Sequence, residues 1–177
     1  ITFDESTKEI NIGETSTLVV SIMPTNATSQ VLVWTSSNPE IVTVDANGKI
    51  KALMLGEATI TAEATDGSLI RATCKVTVNP IEISEIQLNE TESTLKVGET
   101  LILRATITPT NATDNTLHWT SSDDAILKIQ QYTRMPIIGD VVIVEALEKG
   151  EAEITVSSKD DSAISSTCRI VVEDEVV

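Results

Sequence analysis

The chain has 177 residues, and its 27 acidic and 12 basic side chains leave a formal net charge of −15 with a pI near 4.3. That balance excludes nucleic acid and direct insertion at an anionic membrane, because contacts with phosphates need Lys and Arg to displace counterions. No apolar run approaches the roughly 18 residues of a membrane-spanning helix, and the chain opens on Ile1 with no basic or apolar leader, so any targeting segment is expected outside it.

Thr, Ile and Val number 25, 21 and 17, more than a third of the chain, and these β-branched residues suit a pleated, half-buried surface. An all-β fold is expected. Alternation between turn signals predicts strands at 1–4, 8–12, 16–23, 30–36, 41–44, 49–53, 57–65 and 70–79, the first two counting as one split strand. Leu18, Val20 and Ile22 share one face of the third; Ala58, Ile60, Ala62 and Ala64 share one face of the seventh. Between 41–44 and 49–53, Asp45-Ala46-Asn47-Gly48 supplies the positive φ of a tight hairpin. About seven short strands with turns every 8–12 residues read as an immunoglobulin-like sandwich.

The pattern then repeats. Gly13-Glu14-Thr15, Pro24-Thr25-Asn26-Ala27-Thr28 and Trp34-Thr35-Ser36-Ser37 return 85 residues later, at Gly98, Pro109 and Trp119. Gly56-Glu57-Ala58 and Cys74 return 94 residues later, at Gly150 and Cys168. Two tandem β-sandwich domains follow, 1–80 and 81–177, the second with nine extra residues in a hairpin insertion near 130–142. With Val44-Asp45-Ala46-Asn47-Gly48-Lys49-Ile50 and Ala72-Thr73-Cys74-Lys75-Val76-Thr77-Val78, these motifs resemble the group 2 bacterial immunoglobulin-like domain, twice over nearly the whole chain. The resemblance implies a tandem module of bacterial surface proteins, including intimin- and invasin-type adhesins, or of proteins that handle extracellular polysaccharide.

Few residues offer chemistry. Cys74 and Cys168, one per domain on the inward register, are expected as buried, reduced core fillers, since equivalent core positions of separate sandwiches lie too far apart to bridge. Trp34 and Trp119 fall on the strand where such sandwiches place a buried Trp. His118, the lone histidine, falls between Leu117 and Trp119 and is expected to face outward. Asp4-Glu5, Asp123-Asp124, Asp160-Asp161 and Glu173-Asp174-Glu175 lack a Ca²⁺-loop spacing and read as solvated charge, so no metal or other cofactor is expected. The Asn-X-Thr triplets at Asn26, Asn89 and Asn111 read as turn residues.

Only the insertion departs from the repeat. Tyr132, Arg134, Met135, Ile137 and Ile138 have the composition of an interface core, so they form the candidate partner-binding set, with packing of an extended hairpin as the alternative. With no nucleophile, base and oxyanion site to assemble, the expected role is non-catalytic. The chain is expected to act as a semi-rigid spacer or adhesion module on a bacterial surface or in a secreted protein, with Pro80 stiffening the link. Its partners would be other domains of the same polypeptide and a host or cell-surface protein or glycan. The alternatives are a carbohydrate- or protein-binding module, or accessory domains of an extracellular polysaccharide-degrading enzyme.

Overall fold

The structure, a computed structural model, describes residues 1–27, 29–135, 139–159 and 163–174, with the backbone alone for 131–135 and 139. It divides into two compact units, Ile1–Pro80 and Ile81–Val177. Among the described residues every regular element is a strand.

The first unit runs β1 (Thr2–Phe3), β2 (Thr7–Asn11), β3 (Thr15–Thr17), β4 (Val20–Ser21), β5 (Leu32–Ser36), β6 (Val42–Val44), β7 (Lys49–Ala52), β8 (Gly56–Ala64) and β9 (Arg71–Asn79). One sheet has the order β2-β9-β8-β5, with β2 parallel to β9. Opposite lie β3-β7-β6 and the short pair β1-β4. Alternate residues of both layers close the core, with Ile60, Cys74 and Val76 from the first packed with Leu18, Val42 and Ile50 from the second. The second unit repeats this with β10 (Glu85–Leu88), β11 (Glu92–Lys96), β12 (Thr100–Thr108), β13 (Leu117–Ser121), β14 (Leu127–Met135), β15 (Gly139–Ala146), β16 (Gly150–Ser158) and β17 (Ser165–Glu173). Its sheets are β10-β12-β15-β14 and β11-β17-β16-β13, with β11 parallel to β17. Both units are immunoglobulin-like sandwiches whose first strand divides between the two sheets.

The repeated motifs have local causes. In Gly-Glu-Thr, Glu14 N donates to Asn11 O at 3.0 Å across a turn that needs Gly13 at φ 84°, and the Glu14 carboxylate accepts from Asn11 N at 2.9 Å. Gly98 and Glu99 repeat this around Lys96. In Trp-Thr-Ser-Ser, Ser37 Oγ accepts from Thr59 N and Ser122 Oγ from Glu153 N, each at 2.9 Å, tying the end of β5 to β8 and of β13 to β16.

One expectation is corrected. The strand read at 16–23 breaks into β3 and β4, because its partner β7 begins only at Lys49, opposite Thr17. Beyond that point Leu18 N bonds the turn at Gly48, and Val20–Ser21 pair with β1 instead.

Candidate functional site

The candidate site is the β14–β15 hairpin, at one edge of the β10-β12-β15-β14 sheet. In the first unit the equivalent turn is closed by Asp45, whose Oδ1 accepts from Asn47 N at 2.8 Å and Lys49 N at 3.0 Å. The longer sequence of the second unit instead carries the ladder outward. Leu127 and Ile129 pair with the buried Ala146 and Val144, and a bulge then shifts the register between Ile129 and Gln131. Such a bulge changes which residues oppose the core. Here it sets Tyr132, rather than Gln131, opposite the fully buried Val142. Gln130 Nε2 donates to Glu145 Oε2 beside the bulge.

Farther out, Thr133 pairs with Val141, Arg134 with Asp140 and Met135 with Gly139. Asp140 is buried, 3 % exposed, and also pairs with Ala105 of β12. The backbone thus brings Tyr132, Arg134 and Met135 onto one edge strand, whereas Ile137 and Ile138 lie outside the described residues. The burial of Asp140 had no signal in the sequence, where it reads as an ordinary turn residue.

The remaining candidates have structural roles. Both cysteines are free and fully buried. Burial pushes the Cys168 thiol up to about 11 and also raises that of Cys74, so neither is a nucleophile near neutral pH. Trp34 and Trp119 pack against their cores from edge strands and stay half-buried, a correction to full burial that follows from having a neighbouring strand on one side only. The Trp34 ring meets Phe3 edge-on, with centroids 5.7 Å apart. His118 is exposed opposite Ser157.

Several acids are bound locally: Glu5 to Lys8 at 2.7 Å, Asp174 to Lys149, and Asp123 Oδ1 to Ala125 N at 2.9 Å. Glu151 grips Arg169 through two hydrogen bonds, which hold its carboxyl below the usual range, and Glu57 meets Lys75 at the matching place in the first unit. Among the described residues, no three His, Cys, Asp or Glu side chains gather as metal ligands. Asp160, Asp161 and Glu175 lie outside those residues.

The family described as Bacterial Ig-like domain (group 2) matches residues 1–78 and again 82–167. An uncharacterized protein of Clostridium acetobutylicum is 31 % identical over 172 residues, which are 97 % of this chain and 17 % of that protein. An Ig-like virion protein of Serratia phage KSP90 is 28 % identical over 174 residues, 97 % of this chain and 64 % of its own. The chain thus spans less than two thirds of either relative. The solved titin domains z1z2, in complex with telethonin, align at a TM-score of 0.52 and 16 % identity over 98 % of this chain and 96 % of theirs, a likeness of fold alone. Two family matches that together cover most of the sequence, on two sandwiches of one topology, establish that the chain belongs to the bacterial Ig-like domain family, group 2, in two copies.

Proposed function

We propose that the chain is a non-catalytic pair of modules within a larger surface or secreted polypeptide, where it spaces and presents neighbouring domains and contacts a partner through the β14–β15 hairpin. The observation that carries this reading is the hairpin itself, a nine-residue excess that leaves the sandwich topology unaltered. Lengthening a connection in this way is inexpensive for a fold, and binding residues concentrate on such extensions. The share of the clostridial relative that this chain matches, 17 %, supports a module of a longer protein. Membership in a family expected on bacterial surfaces supports the location.

Tyr132, Arg134, Met135, Ile137 and Ile138 are the proposed contact residues, because aromatic, Arg and Met side chains are enriched where interfaces carry most energy. A host or cell-surface protein or a glycan is the proposed partner. The test replaces 130–142 by Asp-Ala-Asn-Gly and measures binding to fibronectin, laminin, collagen and a glycan array. A ligand bound by the parent chain and lost by the replacement, with the fold retained, supports the contact role. Retained binding rejects that role, and a loss of stability alone assigns the hairpin to packing.

A further inference from the structure

Strand β5 is a free edge of the β2-β9-β8-β5 sheet, and its outward face, taken with the preceding residue, presents Val31 at 66 % exposure, Val33 at 53 % and the uncharged Thr35. An edge strand offers unpaired N–H and C=O groups to any other strand, and proteins ordinarily blunt such edges with charge, Pro or bulges. None of these devices occurs from Val31 to Ser36. Other edges differ. β2 carries Lys8 and Glu9, β11 carries Glu92 and Lys96, and β14 carries Lys128 and Arg134. β13, the counterpart of β5, has Thr116, His118 and Thr120 where the first unit has Val31, Val33 and Thr35.

The ladder fixes which backbone groups are free. Ala64 N donates to Ile70 O, so the polar groups of Ala64 face β9 and those of Glu63 face β5. Val33 lies opposite Glu63, and Val31 O accepts from Thr65 Oγ1, so both valines direct their backbone groups towards β8. The N–H and C=O groups of Leu32, Trp34 and Ser36 therefore point out of the open edge.

We propose that a second copy of this chain pairs with that edge, antiparallel, with the two-fold axis at Val33. Leu32 then exchanges both backbone hydrogen bonds with the partner's Trp34, and Trp34 with the partner's Leu32. Val33 meets the partner's Val33 in a non-hydrogen-bonded pair, where Cα atoms approach to about 4.5 Å. A two-fold interface requires a surface that complements itself, and this one does. The row through the axis reads Arg71, Glu63, Val33 and then the same residues reversed, so each charge neighbours its opposite or a valine. The adjacent row sets Val31 against the partner's Thr35 with no charge near the seam. Residues 1–80 also hold nine acidic against five basic residues, a small part of the total −15. Leu69, 74 % exposed at φ 58°, and Ile70 extend the apolar surface at the tip of the β8–β9 hairpin.

Sedimentation velocity on the full chain, from micromolar to near-millimolar concentration, tests the proposal. A dimer is expected whose fraction rises with concentration and with salt, which screens repulsion between acidic copies. Val33→Lys sets like charges face to face on the axis and should raise the dissociation constant about tenfold or more. At concentrations low enough for the parent to be monomeric its thermal midpoint should be unchanged, since the site is exposed. Ile102→Lys, at an exposed position of β12, should dimerise like the parent. Under mild oxidation Val33→Cys should form an intermolecular disulfide, the separation suiting one, and Val31→Cys should not. A parent chain that stays monomeric, a dimer that survives Val33→Lys, or cross-linking at Val31 in place of Val33 overturns the proposal. So does a monomer whose edge captures an unrelated strand through Val33.

Discussion

Gly48 shows how much one residue carries in the first sandwich. It holds φ 77° in the β6–β7 turn, and a Cβ there would lie 2.8 Å from the Trp34 ring and 2.9 Å from Leu18 O. The turn, the Trp and the break after β3 thus meet at one position. Gly48→Ala should cost about 2 kcal/mol or more, combining a disfavoured backbone with overlap against packed atoms. Urea unfolding followed by Trp34 fluorescence in a Trp119→Phe background measures it, and a change under about 0.5 kcal/mol would show that the turn relaxes freely. The thiols make the opposite point, that burial removes chemistry. Cys168 is held protonated up to about 11, above its ordinary value near 9. Its raised folded pKa contributes stability that is fully present below the unfolded value and is lost as pH rises from about 9 through about 11. Native chain should resist a thiol reagent at pH 8 at both cysteines until denaturant is added, and immediate labelling would contradict the burial.

At the scale of elements, the lengthened hairpin explains why one strand is whole in the second unit and broken in the first. β15 reaches back to Gly139, so Leu103, Arg104 and Ala105 of β12 find partners in Val142, Val141 and Asp140. Leu18, Val19 and Val20, 85 positions earlier, have no such ladder. Arg104 N donates to Asn89 Oδ1 on the β10 side, so it is the Leu103 and Ala105 amides that face β15. Replacing 130–142 by Asp-Ala-Asn-Gly should therefore raise hydrogen exchange at those two about tenfold or more while leaving β16 and β17 protected. Equal protection of the Leu103 and Ala105 amides in the parent and the replacement would refute the dependence.

Most of this architecture was legible in the sequence, because alternation and turn residues fix strands locally and the repeat supplied a second reading of each. Three features were not. The break in 16–23 depends on where a distant partner strand begins, the bulge at Gln130 leaves no compositional mark, and the burial of Asp140 follows from register. For Tyr132, Arg134 and Met135 of the candidate contact set, the place on a hairpin strand was readable, since the nine-residue excess falls between two strands. The open β5 edge was partly readable too: Val31-Leu32-Val33 is apolar on both parities, where a half-buried strand alternates.

On the scale of the molecule, the two sandwiches share a topology and differ in charge. Each is built around its own apolar residues, Ile60 and Cys74 among those of the first and Ile154 and Cys168 among those of the second. Residues 1–80 carry nine acidic and five basic side chains, and residues 81–177 carry eighteen and seven. The excess is four in one and eleven in the other, so self-repulsion weighs more heavily on the second sandwich. Salt also screens favourable pairs such as Glu151 with Arg169 and Asp174 with Lys149. These are exposed, and pairs of that kind contribute at most about 1 kcal/mol, so relief of the larger repulsion should prevail. Each unit has a single Trp, which gives each its own reporter: Trp119→Phe leaves Trp34 to follow the first, and Trp34→Phe leaves Trp119 to follow the second. Raising NaCl from low to high concentration during urea unfolding should move the Trp119 transition to higher urea by more than the Trp34 transition, by a margin worth about 0.5–1 kcal/mol. Equal shifts, or a larger one for Trp34, would show that local pairs rather than net charge set the electrostatic balance.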